Sequence, residues 1–417
     1  VLRKQKVISD EDFYALRIAP VWRYFKGESF AFWMVCAYLF LEYVRPQSIY
    51  PALNFLPWTQ LVVIGAILGC FADRTVRWVS SPINTMLVLY FFVIGLSSYF
   101  AYFPQVSYDN LDRYYLWVII YFVIINVVNS RRRFFIFICI FFLASSKLSV
   151  SLSLTWIKRG FAFTDWGLMG PPGFFQNSGE LAIQMLVFWP FAWAFATSVK
   201  PFTSRRMHFL LMLMPVTAVM VILGASSRGA QIALIVQIIL MNHRSIFKPK
   251  IIISSLVVLF LIWNFLPEQQ KQRFENMGQD QTSQQRMLYW ENGIDMVLDN
   301  PILGVGYFNF APYFERFYPE DILLRQAELP HNIFIQVATD AGFVGLLIFL
   351  FIILYAFFKC RNLRISGCEK NQALIGNCAN LSLIGFVVAG QFVTVTYYPF
   401  IWIHLALVVA FVNSFSK

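Results

Sequence analysis

The chain has 417 residues at 48.4 kDa, 58% of them hydrophobic and only 13% charged, with a mean hydropathy of +0.61. Soluble domains carry roughly 25% charged and 45–50% apolar residues, so a soluble globular enzyme is excluded, and disordered, collagenous and disulfide-scaffold classes fail on the same figures. A helix crosses a bilayer with ~20 apolar residues, which leaves room for on the order of a dozen spans and predicts an all-α, polytopic integral membrane helical bundle.

In chain order, residues 1–29 are polar and basic. Phe13, Tyr14, Leu16, Trp22, Tyr24 and Phe25 stand among their basic residues, a mixture that suits an interfacial helix as well as an unstructured tail. No small-residue cleavage pattern follows the first apolar run, so no signal peptide is expected. Residues 30–266 hold nine expected spans, near 30–44, 57–71, 84–103, 114–128, 133–156, 181–199, 208–225, 229–242 and 251–266. A large loop over 267–331 follows, and then spans near 332–358, 373–395 and 397–415 within 332–417.

About twelve spans put both termini on one side of the membrane. With that side cytoplasmic, 22 of the 33 Lys and Arg fall in inside segments and 10 outside, with Lys147 in a span. Every inside loop is then basic, as the positive-inside rule requires. The net charge of +11 therefore reads as a topology signal, and no nucleic-acid partner is expected. Cys36, Cys139 and Cys378 fall in spans, Cys70 at an inner end, and Cys360 and Cys368 in an inside loop, so no disulfide framework is indicated.

Two outer loops, about Ile157–Glu180 and Pro267–His331, exceed the ~12–15 residues beyond which a loop is usually functional or structured. In the second, Met287, Trp290, Ile294 and Val297/Leu298 recur at helical spacing, Asp299-Asn300-Pro301 ends the pattern, and Gly304-Val305-Gly306 turns the chain. A second short helix is expected near Glu320–Glu328. The loop reads as a partly helical periplasmic lid between spans 9 and 10.

Within the spans, Glu42, Lys147, Asp340 and His404 are the main ionisable residues, and intramembrane charges are functional candidates. His331 is the stronger one. It closes the large loop at Pro330-His331-Asn332 and opens a span, where the helix N-terminus favours the neutral imidazole that a general base needs; an interfacial capping role is the alternative. Arg228, in Gly224-Ala-Ser-Ser-Arg-Gly-Ala-Gln-Ile232, follows Ser226 and Ser227, either of which can cap the next helix. A cation in a first helical turn opposes the helix dipole unless an anion joins it; pairing with a carboxylate or a lipid phosphate is the other reading. Arg286 sits four residues before Trp290 and faces either the membrane-side cavity or solvent. Glu291, Glu315 and Glu328 could do acid or base work, and Lys158, Arg159, Arg316 and Arg325 could add positive charge at the mouth. His208, His243, His331 and His404 are scattered without metal-ligand spacing. A P-loop, a GxSxG elbow and a CxxC pair are all missing from the sequence.

His331 followed by ten residues and Gly342 (HNIFIQVATDAG), with Gly345 beyond, resembles the pattern of the O-antigen ligase and O-antigen polymerase superfamily of membrane glycosyltransferases. Arg228-Gly-Ala-Gln-Ile232 is similar to that family's Arg and Leu separated by three residues, with Ile in place of the Leu. RMLYWENGIDMVLDNPILGVGYFNF resembles its Arg-to-Trp helix, Pro and Gly-x-Gly turn, with Arg286 at the Arg. The resemblance rests on motifs over about 180–360 and on topology before that.

It implies metal- and cofactor-independent, inverting glycosyl transfer at the periplasmic face of a bacterial inner membrane. The donor would be a glycan on undecaprenyl diphosphate, with Arg228 and Arg286 holding the diphosphate, His331 activating the acceptor hydroxyl, and Arg159, Glu328 and Arg325 in support. The spacing from His to Gly matches the ligase branch, whose acceptor is lipid A–core. A polymerase acting on lipid-linked repeats, a protein O-oligosaccharyltransferase and, from another class, a lipid-linked glycan transporter are the alternatives.

Overall fold

The computed structural model describes residues 9–164, 167–243, 248–249, 264, 271, 280–365 and 370–415, without the side chains of 363–365 and 370. Among these residues every regular element is helical. Helices form at the apolar segments that hydropathy marks, for example Phe30–Val44, Trp58–Ala72, Asp112–Val127 and Pro399–Phe415. Six are long and apolar enough to cross a membrane: Pro82–Tyr99, Arg131–Lys158, Ser178–Phe202, Arg205–Gly224, Ile333–Asn362 and Asn371–Ala389. The span expected near 251–266 and the start of the large loop lie, but for single residues, outside the described ones.

Two helices form the centre. Ser178–Val199 packs against Arg205–Gly224, Arg228–Met241 and Lys370–Ala389, and nearly all of its side chains are buried, as are those of Pro399–Phe415. Large apolar side chains such as Phe92, Leu96, Leu213 and Leu347 face outward instead, where lipid is as apolar as they are. Without a hydrophobic drive between helices, polar groups supply specificity. Gln237 is fully buried; its amide nitrogen donates to the carbonyls of Leu186 (2.9 Å) and Leu381 (2.7 Å), while Trp189 Nε1 donates to its oxygen at 2.7 Å. One side chain thereby ties three helices together.

One end of the bundle is basic, and the segment 280–331 packs at another. At the basic end Arg133 donates to Glu28 Oε2 (2.8 Å), Thr75 Oγ1 (2.9 Å) and the Val127 carbonyl (3.1 Å), joining the starts and stops of four helices. The N-terminal segment packs there as two short helices, Asp10–Tyr14 and Ile18–Lys26, which decides against an unstructured tail over the described residues. Phe13 is fully buried beside Phe135, and Arg132 pairs with Asp10 at 2.7 Å.

Two expectations are corrected. The helix expected over 373–395 stops at Ala389, and residues 390–398 form a loop; the apolar composition of that loop is that of a helix, but Gly390 turns and accepts a hydrogen bond from Ile333 N at 2.9 Å. The second helix of the segment before His331 is Phe310–Phe317, not 320–328. Its Phe310, Tyr313 and Phe314 join Tyr289 and Met296 in a separate aromatic core, to which 320–328 adds Ala327 from a non-helical turn.

The long helix Ile333–Ile365 is broken at Gly342, whose φ of 66° and ψ of −168° are essentially accessible to glycine alone. The break redirects backbone hydrogen bonds to the Pro301–Val305 turn. Phe343 N donates to the Pro301 carbonyl (2.8 Å), and Val305 N to the Thr339 carbonyl (2.9 Å). A Cβ at Gly342 would run into the Ile302 carbonyl. Gly342, separated from His331 by ten residues, therefore clamps the turn that follows the helix Gln281–Asp299 to the helix Ile333–Ile365.

Candidate active site

At one end of the bundle, the starts of the helices Ser178–Val199 and Arg228–Met241 meet the first turns of Gln281–Asp299, His331 and the 390–398 loop. Together they enclose a cavity of about 320 Å³ whose lining includes Asn177, Ser178, Ser227, Arg228, Arg286 and His331. Its apolar lining comes from Ile232, Met287, Trp290, Phe392 and Val393. A cavity with cations on one wall and apolar side chains on another suits an amphipathic anion.

Ser227 is the N-cap of the Arg228 helix but makes no side-chain capping bond, which leaves first-turn N–H groups without that partner. Arg228 follows at the first helical position and pairs with Asp280 at 3.2 Å. Asp280 in turn caps the helix Gln281–Asp299, accepting from Ser283 N and, at 2.6 Å, from Ser283 Oγ. Burial works against its ionisation, but the bonds from Ser283 and Arg228 outweigh it and hold the Asp280 carboxyl below the usual range. The carboxylate pairing weighed for Arg228 is thus present, inside the cavity wall.

Arg286 lies one helical turn further on. Burial and then the neighbouring Arg228 push its guanidinium below the ordinary value, opposed by Asp280 and Glu328. A guanidinium stays protonated under such shifts, so two positive charges share one wall. Among the described residues the buried Nε of Arg286 has no hydrogen-bond partner. A buried charge without matched acceptors is costly, and an anion in the cavity would supply them.

His331 sits at φ 51°, a left-handed conformation uncommon for a residue other than glycine, and the turn that holds it is tied by its neighbours. Its N–H donates to Thr394 Oγ1 (2.9 Å), and Trp290 Nε1 donates to the Pro330 carbonyl (2.9 Å). Asn332, not His331, caps the next helix, its Oδ1 accepting from Phe334 N at 2.9 Å. The imidazole is free of the capping role and lines the cavity, with Nε2 3.0 Å from Glu328 Oε2. That bond, ahead of the opposing effect of burial, holds Glu328 below the usual carboxylate range, and the charges of His331 and Arg286 add to it.

The other sequence candidates lie elsewhere. Arg159 and Arg325 are exposed and are not among the residues lining the cavity. Glu291 is also exposed, and Glu315 accepts from Ala327 N at 3.2 Å, a bond within the segment before His331. Lys147 faces outward on the bundle, while Glu42, Asp340 and His404 are buried away from the cavity lining. Asp340 Oδ1 accepts from Phe308 N at 2.9 Å, another tie between that segment and the helix Ile333–Ile365.

Sequence reasoning passed over Asn177, Ser178, Ser283 and the loop residues Phe392 and Val393. Asn177-Ser178-Gly179-Glu180 carried a readable signal, a helix start on the same side as Arg228, and Tyr398 ties that start to the 390–398 loop by donating to Glu180 Oε1 at 2.8 Å. Among the described residues no three His, Cys, Asp or Glu side chains stand together as metal ligands would.

A comparison with curated proteins finds no match to this chain. A family model described as O-antigen ligase matches residues 209–350, a stretch that includes Arg228, Arg286, His331 and Gly342. By that match and the motifs within it, the chain carries an O-antigen ligase family domain over residues 209–350.

Proposed function

We propose that this membrane glycosyltransferase-like protein transfers a glycan from undecaprenyl diphosphate to lipid A–core, with inversion, at the periplasmic face of a bacterial inner membrane. The observation that carries the reading is that Arg228, Arg286 and His331, distant in sequence, line one cavity. His331 takes the proton of the acceptor hydroxyl as its oxygen bonds to the anomeric carbon. The bond from that carbon to the diphosphate breaks, and the diphosphate leaves with the electron pair. Arg228 and Arg286 meet its growing charge, electrostatic work of the oxyanion-hole kind, so the scheme calls for no metal ion and no cofactor. Ile232, Met287 and Trp290 suit the first isoprene units of the carrier. About twelve spans, cytoplasmic termini and a periplasmic lid complete the proposal, supported by the basic loops at the end opposite the cavity.

The test is purified protein in detergent with undecaprenyl-diphosphate-linked O-antigen and lipid A–core, followed by gel shift for wild type and His331→Ala. Transfer that requires His331 and proceeds in chelator supports the ligase reading. Lengthening chains on the lipid carrier, with no transfer to lipid A–core, would make the protein a polymerase. Transfer only to a protein hydroxyl would make it an O-oligosaccharyltransferase, and no reaction with an active donor would favour a transporter.

A further inference from the structure

The turn that carries His331 also carries a carboxylate, and the two are fixed relative to each other. Glu328 N donates to Tyr289 Oη at 2.8 Å, with Tyr289 buried in the lid's aromatic core. Two and three residues on, the Pro330 carbonyl and His331 N are held by Trp290 and Thr394. The turn is therefore pinned at one end to the helix Gln281–Asp299 and at the other to that helix and to the 390–398 loop, and the left-handed backbone of His331 points its ring back at Glu328 across 3.0 Å. An ionised carboxylate only accepts hydrogen bonds, so a proton on the ring nitrogen facing it satisfies both groups. Among the described residues Nδ1 has no hydrogen-bond partner, and the ring borders the cavity.

We propose that Glu328 is the positioning carboxylate of the His331 base: it accepts the Nε2 proton, fixes the imidazole tautomer and leaves Nδ1 as the nitrogen that takes the acceptor's proton. This rests on the reading of His331 as the base. During transfer the hydroxyl proton passes to Nδ1, the acceptor oxygen bonds to the anomeric carbon, and the diphosphate departs with the electrons of the broken bond. The positive ring that results keeps its Nε2–H against Glu328, as an imidazolium is stabilised by its carboxylate in a nucleophile–base–orienter triad. Afterwards Nδ1 returns its proton to water. The low ionisation range of Glu328, set first by its bond from His331, fits a group that stays charged through the cycle. Because Arg286 also acts on Glu328, the rival role is that of a plain counter-ion to the arginine. The two roles predict different kinetics.

The experiment measures kcat and donor KM for full-length wild type, Glu328→Gln, Glu328→Asp and His331→Ala, with undecaprenyl-diphosphate-linked O-antigen and lipid A–core and with folding checked by thermal unfolding. Glutamine keeps the shape but can donate as well as accept, which permits the wrong tautomer. The expected result is a fall in kcat of ~10–10²-fold for Glu328→Gln with donor KM little changed, at the lower end of general-base contributions because the side chain is half exposed. Glu328→Asp should recover part of that loss, and adding Glu328→Gln to His331→Ala should cost nothing further. An unchanged kcat with a lower donor KM in Glu328→Gln would mark a counter-ion and overturn the proposal, as would equal losses in the Gln and Asp variants. If His331→Ala itself transfers like wild type, the base reading falls; if only Glu328→Gln does, the positioning role alone falls.

Discussion

Arg133 and Arg286 are both drawn out of water, at opposite ends of the molecule, and are treated in opposite ways. Around Arg133, Nε meets Glu28, one terminal nitrogen meets the Val127 carbonyl, and the other meets Thr75, with the Arg133–Glu28 pair 6% and 9% exposed. Arg286 faces a cavity beside a second arginine, has no ion pair among the described residues, and keeps a buried Nε without an acceptor. A guanidinium whose donors are met by the protein is holding helices together. One left with donors to spare in a cavity is held ready for something that arrives.

The largest expected effect breaks the first half of that comparison. Arg133→Ala strands Glu28 in a buried setting, and removing one partner of such a pair costs ~3–5 kcal/mol. The expected outcome is loss of folded protein by size-exclusion in detergent; a monodisperse variant with wild-type unfolding temperature would show that the hub is dispensable.

Arg286→Ala should do the reverse. Its unfolding temperature should match wild type, while transfer falls ~10²–10³-fold, as for losing one preorganised donor to a developing anion. Arg228→Ala should behave alike, with some loosening of the helix Gln281–Asp299 because its cap, Asp280, loses the Arg228 pairing. A folded variant of either arginine with wild-type turnover would remove it from the diphosphate site.

Gly342→Ala tests whether the clamp on the Pro301–Val305 turn matters. Forcing a side chain into that backbone region costs on the order of 1–3 kcal/mol before any clash. The variant should lose thermal stability and expose the Pro301–Val305 turn to proteolysis; unchanged protection would mean that the kink is incidental.

The smallest effect concerns Asp280. Its carboxyl is depressed in the folded state, so its contribution is fully present above the unfolded carboxylate range and is lost as pH falls through the folded value. Asp280→Asn should cost at most about 1 kcal/mol for a partly exposed pair and flatten the acid limb of the stability curve. An acid limb as steep as in wild type would assign that titration elsewhere.

Much of this was legible in the sequence because hydropathy reports helices directly, and because polar residues at helix starts are rare enough to count. Arg228 and His331 each stand out as the polar opening of an apolar run, and the alternation of spans puts both on one side. The loop over 390–398 was hidden because Val387, Val388, Phe392 and Val393 read as continuous span; only Gly390 hinted at a turn. The helix Phe310–Phe317 was hidden by Pro312 and by a run of aromatics whose partners, Tyr289 and Met296, are distant in sequence. The Glu328–His331 pairing could not be read from spacing, since it arises in a non-helical turn whose shape is set by Trp290, Tyr289 and Thr394.

The account stands on the claim that the cavity's arginines are held for a diphosphate. Its most direct test is binding of undecaprenyl diphosphate to purified wild type and Arg286→Ala, followed by microscale thermophoresis at matched thermal stability. Binding to wild type that is reversed by inorganic pyrophosphate and weakened at least ~10-fold in Arg286→Ala, the size of one lost charge-assisted hydrogen bond, is the predicted result. Equal affinity for the two proteins would contradict it.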